Sequence, residues 1–186
     1  SLPSRGLGDV YKRQDGSKVF FTAFGNDRIH QFKLTTPFDI STIDSSQTEV
    51  KHSIVGDPQG FAFNSTGTKV FIKNNGAGLR SYTLATPYEL SGAPADDSYT
   101  GTWNNELEPT GGAYSSHDIE FNNDGTKMYF FHNGGGSPAR DERVIQYTLS
   151  TPYDPSSRTS VDVFQLGNRT SEIPQDIEFD DDGTRM

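Results

Sequence analysis

Asp124-Gly125-Thr126-Lys127-Met128 is one of four occurrences of the same phrase in this chain. Asp15-Gly16-Ser17-Lys18-Val19, Thr66-Gly67-Thr68-Lys69-Val70 and Asp182-Gly183-Thr184-Arg185-Met186 are the others, with glycines 51, 58 and 58 residues apart. A period of that size marks one supersecondary unit used repeatedly, each unable to bury its apolar side without a neighbour.

Working outward from Gly125, Asp118-Ile119-Glu120-Phe121 alternates polar and apolar as a short strand, and Asn122 to Gly125 makes a tight turn with glycine free to take positive φ. Lys127 to His132 follows as a second strand, whose Met-Tyr-Phe-Phe run suits burial on both faces. Val144 to Leu149 reads as a third strand, ended by Thr151-Pro152-Tyr153-Asp154, because proline lacks a ladder donor. Ser160 to Leu166 reads as the fourth, outer strand. The other copies follow the same plan, with third strands at Arg28 to Leu34 and Leu79 to Leu84 closed by Thr36-Pro37-Phe38-Asp39 and Thr86-Pro87-Tyr88-Glu89. Their fourth strands are Thr48 to Val55 and Ser98 to Trp103. Apolar residues precede the turn glycine by six and four positions at Phe61/Phe63, Ile119/Phe121 and Ile177/Phe179, so these pairs are expected on inner strands, buried between repeats.

Four strands per repeat at this period predict an all-β fold, a β-propeller fragment of about three four-stranded antiparallel blades and the start of a fourth. The blade boundaries are read as 15–58, 59–116, 117–174 and a partial 175–186. The combination of D-G-T-K-[VM]-[YF], an upstream [Q/H]-[DG]-[IF]-x-F and a downstream T-P-[YF]-[DE] resembles propeller-like repeat proteins of marine bacteria and phages. It is more distantly similar to lactonase-type and YVTN-type propellers. The resemblance covers residues 15 to 186. It implies an extracellular or virion-associated binding or scaffold module, with the remaining blades of a parent protein as neighbours.

The register fails before Gly16, where apolar residues are expected at positions 10 and 12 and the chain has Val10 and Lys12, with Tyr11 on the wrong face. Residues 1–14 (SLPSRGLGDVYKRQ) also resemble translated sequencing-adapter read-through and are set aside as a non-native leader. Met186 falls early in a strand by comparison with Met128, so the chain reads as a fragment, an open arc whose terminal faces favour association.

Composition agrees with a turn-punctuated β protein: 31% hydrophobic, 12% aromatic, 19 Gly and 10 Pro. A net charge of −9 without a basic cluster argues against nucleic acid as partner. The absence of cysteine excludes disulfides and Cys-ligated metals, and no apolar run reaches the length of about 20 residues that a spanning helix needs.

The polar residues that suggest chemistry sit at the start of the inner strands: His117, Asp118 and Glu120, then Gln175, Asp176 and Glu178, with Gln59 in the earlier copy. Asp118, Glu120, Asp176 and Glu178 are oxygen donors of the kind calcium takes, and His117 and Gln175 are candidate ligand contacts. Resemblance to lactonase-type propellers implies a calcium-assisted hydrolase as an alternative, the cation polarising a lactone carbonyl. The plainer reading is that these groups bond backbone and line a wet channel, and the copy with Gly60 and Ala62 leaves any acid ring incomplete. Trp103 and Tyr114 offer a stacking surface for a sugar, the second alternative being a carbohydrate-binding propeller. The Asn122-to-Gly125 turn has Phe131 where a calcium loop places its distal Glu, the Gly-rich segments Asn74 to Gly78 and Asn133 to Gly136 lack the Lys-Ser/Thr of a phosphate loop, and no G-x-S-x-G occurs. No catalytic residue is assigned; a protein or carbohydrate ligand is the expected partner.

Overall fold

The computed structural model describes residues 15–23, 28–44, 50–53, 57–75, 78–91, 115–133, 143–166, 177–179 and 183–184. It is all-β. Ten strands run in chain order: β1 (Lys18–Ala23), β2 (Arg28–Lys33), β3 (Val50–Ser53), β4 (Asp57–Phe63), β5 (Lys69–Asn75), β6 (Gly78–Thr83), β7 (Ser115–Phe121), β8 (Lys127–Asn133), β9 (Arg143–Leu149) and β10 (Arg158–Gln165). They form three antiparallel sheets, ordered β1-β2-β3, β4-β5-β6 and β10-β9-β8-β7. Among the described residues each sheet is open, and none closes into a barrel or ring.

The third sheet has the expected four strands, although its outer strand starts at Arg158, two residues before the expected Ser160. The expected outer strand of the second sheet, Ser98 to Trp103, lies outside the described residues. The first sheet holds the second, third and fourth strands of its repeat, and β1 is paired on one side only among the described residues. Strand pairing also runs into stretches read as loop: β5 reaches Asn75 and pairs Asn74 with Gly78 at the start of β6.

Strand alternation sorts the side chains into two faces. We call the side of a sheet toward the following repeat its trailing face, and the opposite side its leading face. From the trailing face of the first sheet, Phe20 packs edge-on to Phe63 at 5.0 Å, while Ile29 joins Phe63, Val70, Ile72, Tyr82, Leu84 and Leu90 on the leading side of the second. Ala62, Phe71 and Leu79 then leave the trailing face of the second sheet and meet Ile119, Phe121, Met128, Phe130, Ile145, Tyr147 and Leu149 of the third. Phe131 and Val144, on the third sheet's trailing face, meet Ile177, with Tyr129 and Phe179 packed against them, their rings tilted with centroids 4.5 Å apart. Equivalent positions perform equivalent work at each junction, so the sheets stack head to tail in chain order. β8 is therefore buried on both faces, as its apolar run requires.

The two diagnostic phrases of the sequence turn out to be halves of one device. The first aromatic after each Thr-Pro has left-handed backbone, at Phe38 (φ 60°), Tyr88 (φ 54°) and Tyr153 (φ 55°). Its N–H donates to the carbonyl of the turn glycine at 2.9 Å in all three copies: Phe38 to Gly16, Tyr88 to Gly67 and Tyr153 to Gly125. The ring then lies across that glycine, where any Cβ would overlap it. Tyr88 and Tyr153 add hydroxyl bonds to the carbonyls of Ser65 (3.1 Å) and Asn123 (2.8 Å). Left-handed backbone costs a non-glycine residue roughly 1–3 kcal/mol, and these closures offset it.

The turn acids serve the same structure. Asp15 and Asp124 each accept from the hydroxyl and N–H two residues on, at Ser17 and Thr126, which holds both carboxyls below their ordinary value. Asp39 and Asp154 cap short 3-10 turns by accepting from Ser41 and Ser156. The hairpin reading holds at Asn122 to Gly125, which joins β7 to β8 with Gly125 at φ 71°, while residues 180–182 of the other Asp-Gly segment lie outside the described residues.

Candidate functional site

Inner-strand geometry explains why the polar positions looked special. β4 shifts register between Pro58 and Gly60, and β7 between Ser116 and Asp118, so Gln59 and His117 occupy the same β-bulge in successive repeats. Bulges re-aim side chains and are frequent beside functional sites. Asp118, one residue on, is only 9% exposed, and its Oδ2 accepts the Ile177 N–H at 3.3 Å across the junction to the fourth repeat. Glu120 is half-buried on the same side of β7, while Glu178 is exposed. Asp176, Gln175, Trp103 and Tyr114 lie outside the described residues, as does the side chain of His117. Among the described residues, no group of three or more His, Asp or Glu side chains is gathered as for a metal ion.

A second polar cluster was not singled out from the sequence. Glu89 holds the Thr-Pro corner of the second repeat and reaches back to the first sheet, accepting from Gln31 Nε2 at 2.8 Å and Lys18 Nζ at 3.3 Å. Gln31, 1% exposed, also accepts the Leu90 N–H through Oε1 at 2.8 Å, and Lys18 donates to the Tyr88 carbonyl at 2.6 Å. Partial burial works against the Glu89 charge, but hydrogen bonds from Gln31 and Ser91 and the charge of Lys18 outweigh it, holding the carboxyl below its ordinary value of 4.5. The sequence signal was the extra methylene: Asp39 and Asp154 cap their own turns, and only the longer Glu89 reaches the neighbouring sheet.

This clasp gives a testable pH dependence. A carboxyl with a lowered folded pKa stabilises the fold above its unfolded pKa, and that contribution is lost as pH falls through the folded value. Stability should therefore decline as pH drops below about 4.5. Gln31→Ala leaves the buried Leu90 N–H without its acceptor, and should cost about 1–3 kcal/mol at neutral pH and flatten the acid limb. Urea unfolding at pH 7, 5 and 3 measures both; an unchanged acid limb in the variant would detach Glu89 from the effect.

Beside the clasp, between the first two Thr-Pro corners, lies a cleft of about 360 Å³ lined by Asp15, Gly16, Lys18, Val19, Phe20, Leu34, Phe38, Ile40, Pro87 and Tyr88. Its size falls within the range of ligand sites, and its lining is mainly apolar, with Lys18 and Asp15 its charged members. Phe38 is 71% and Ile40 72% exposed, whereas their counterparts in the second repeat are covered, Leu90 to 2% exposure and Tyr88 by Phe63 at 5.2 Å. Val19, Leu34, Phe38 and Ile40 correspond to Val70, Leu84, Tyr88 and Leu90, the residues that surround Phe63 in the second sheet. The cleft is thus shaped by the same positions that elsewhere receive an inner-strand phenylalanine.

No protein-family model matches the chain, and no curated protein is similar to it in sequence. No helix among the described residues is long and apolar enough to cross a membrane.

Proposed function

We propose that this chain is a run of β-propeller blades serving as a binding and scaffold module, extracellular or virion-associated, without catalysis of its own. The observation that carries this reading is the corner cleft, an exposed apolar seat framed by Phe38, Ile40 and Tyr88 whose counterpart in the next repeat holds an aromatic side chain. The head-to-tail stacking of the sheets, with equivalent residues at each junction, supports the propeller architecture. The polar residues around the corners close turns or join sheets, which suits a scaffold. An extended peptide presenting an aromatic residue fits the cleft best, because a ring there would stack on Phe38 and leave Lys18 and Asp15 at the rim for its backbone.

The test sets this reading against the alternatives. Intact chain is titrated calorimetrically with short extended peptides containing alternate Ile and Phe, and with oligosaccharides, in the presence and absence of calcium. Saturable peptide binding weakened at least about tenfold by Phe38→Ala is the expected result, since aromatic anchors in pockets dominate such interfaces. Oligosaccharide binding instead would favour the carbohydrate module. Calcium-dependent opening of aliphatic lactones, lost in Asp118→Asn, would overturn the proposal in favour of the hydrolase.

A further inference from the structure

At its corner end, the junction between the first and second sheets is closed by paired polar groups: Gln31 with Glu89 and Leu90, and Lys18 with Glu89 and Tyr88. The opposite end of the second sheet is different. Asn74, near the end of β5, is 0% exposed, and neither its Nδ2 nor its Oδ1 has a hydrogen-bond partner. Alternation along β5 puts it on the leading face with Val70 and Ile72, toward the first sheet. Its ladder neighbours are Pro58 of β4 and Gly78 of β6, which carry no polar side chain. On the β6 side, Arg80 stands opposite Ile72 on the same face, and its Nε is buried without a partner. On the β4 side, the bulge between Pro58 and Gly60 carries Gln59, whose Oε1 is likewise buried and unpaired. Three adjacent strands thus bring four unpaired polar atoms to one end of the second sheet. In the third sheet the position of Arg80 is taken by Ile145, 1% exposed in the apolar core, so the repeat itself does not call for a polar group there.

A buried amide without a partner bears the full cost of desolvation, and buried polar groups in folded proteins are as a rule paired with protein or with ordered water. The four atoms are two donors, Asn74 Nδ2 and Arg80 Nε, and two acceptors, Asn74 Oδ1 and Gln59 Oε1. A metal cation here would meet the Arg80 guanidinium, and an anion would meet two amide oxygens. The fitting occupant is therefore neutral and both donates and accepts. We propose that this end of the second sheet is an internal hydration site, in which a pair of water molecules links Asn74 to Arg80 on one side and to Gln59 on the other. One water cannot reach both ends of a single amide with near-linear bonds. Two can, each making about three hydrogen bonds as buried waters commonly do. Because Asn74 faces the first sheet, exchange of these waters with solvent requires that end of the junction to open, a local event distinct from global unfolding.

The site is tested on the whole chain, and its outcome does not depend on what the corner cleft binds. In the isotopically labelled protein, cross-relaxation between water and the Asn74 side-chain amide protons, with the sign of a long-lived contact, is the expected result; its absence would overturn the inference. Deuteron relaxation dispersion counts long-lived internal waters in the same sample. Asn74→Leu, similar in size but without polar atoms, should lose the amplitude of the pair and lower the urea midpoint, because Arg80 and Gln59 lose their bridge. Asn74→Ser keeps a hydroxyl and leaves more room, so it should retain the amplitude. An undiminished amplitude in Asn74→Leu, or a raised midpoint, would mean that the amide meets no water and is only a cost to the fold. If Asn74→Leu does not fold, the cross-relaxation in the unaltered chain and the amplitude lost in Arg80→Met decide by the same criteria.

Discussion

Replacing Phe130 with alanine should destabilise the fold by about 3–5 kcal/mol, the range for emptying a buried phenylalanine site. Phe130 lies in the middle of β8, is 1% exposed, and meets Tyr147 edge-on at 6.2 Å within the junction between the second and third sheets. Its surroundings are supplied by several strands, so the cavity cannot collapse by moving one loop. Phe164→Ala provides the contrast, because Phe164 is 60% exposed on the outer strand β10; a change within about 0.5 kcal/mol is expected there. Urea denaturation of both variants measures the difference. A loss below about 1 kcal/mol for Phe130→Ala would mean that the junction is not tightly packed, and the head-to-tail stacking would lose its energetic basis.

The second large effect is expected at the turn glycines. Gly67 and Gly183 share nearly the same left-handed backbone, φ 68° and 70°, but a Cβ at Gly67 would overlap the Tyr88 ring, whereas a Cβ at Gly183 would meet nothing within 4 Å. Gly183→Ala should therefore cost only the backbone term, roughly 1–2 kcal/mol. Gly67→Ala should cost that and a further amount of about 1–3 kcal/mol for forcing the ring aside. Thermal or chemical unfolding of the pair isolates the ring contact by difference. Equal losses would show that Tyr88 does not rest on Gly67, and the corner lock would then reduce to its backbone hydrogen bonds.

Much of this architecture was legible because each repeat states its own boundaries. The Asp-Gly-Thr-Lys phrase specified a hairpin through its need for positive φ, and Thr-Pro specified the end of the third strand through the missing donor. Inner-strand positions such as Ile119 and Phe121 followed from period-two alternation and are buried as that pattern requires. Exact strand ends were less legible: pairing at Asn74 and Gly78 continues a ladder through polar and glycine residues whose side chains carry no periodicity.

The candidate site was harder to read, because its residues are far apart in the chain. Sequence reasoning singled out Asp118 and Glu120 as cation ligands, and the fold gives Asp118 a backbone donor from Ile177 across a junction. Phe38 read as a turn residue. Its exposure and its place in the cleft depend on what lies beside β1, which no local pattern encodes. Gln31 and Glu89, 58 positions apart, meet only because two sheets stack.

By itself, then, the sequence determined the repeat, the strands, the turns and which side chains face a sheet surface, since these follow from local backbone preference and alternation. Tertiary structure alone decided which sheet covers which face, that the two phrases of each repeat lock together, and that the first corner retains an open apolar seat. Those outcomes depend on contacts between residues tens of positions apart, whose free energy exists only after the sheets have come together.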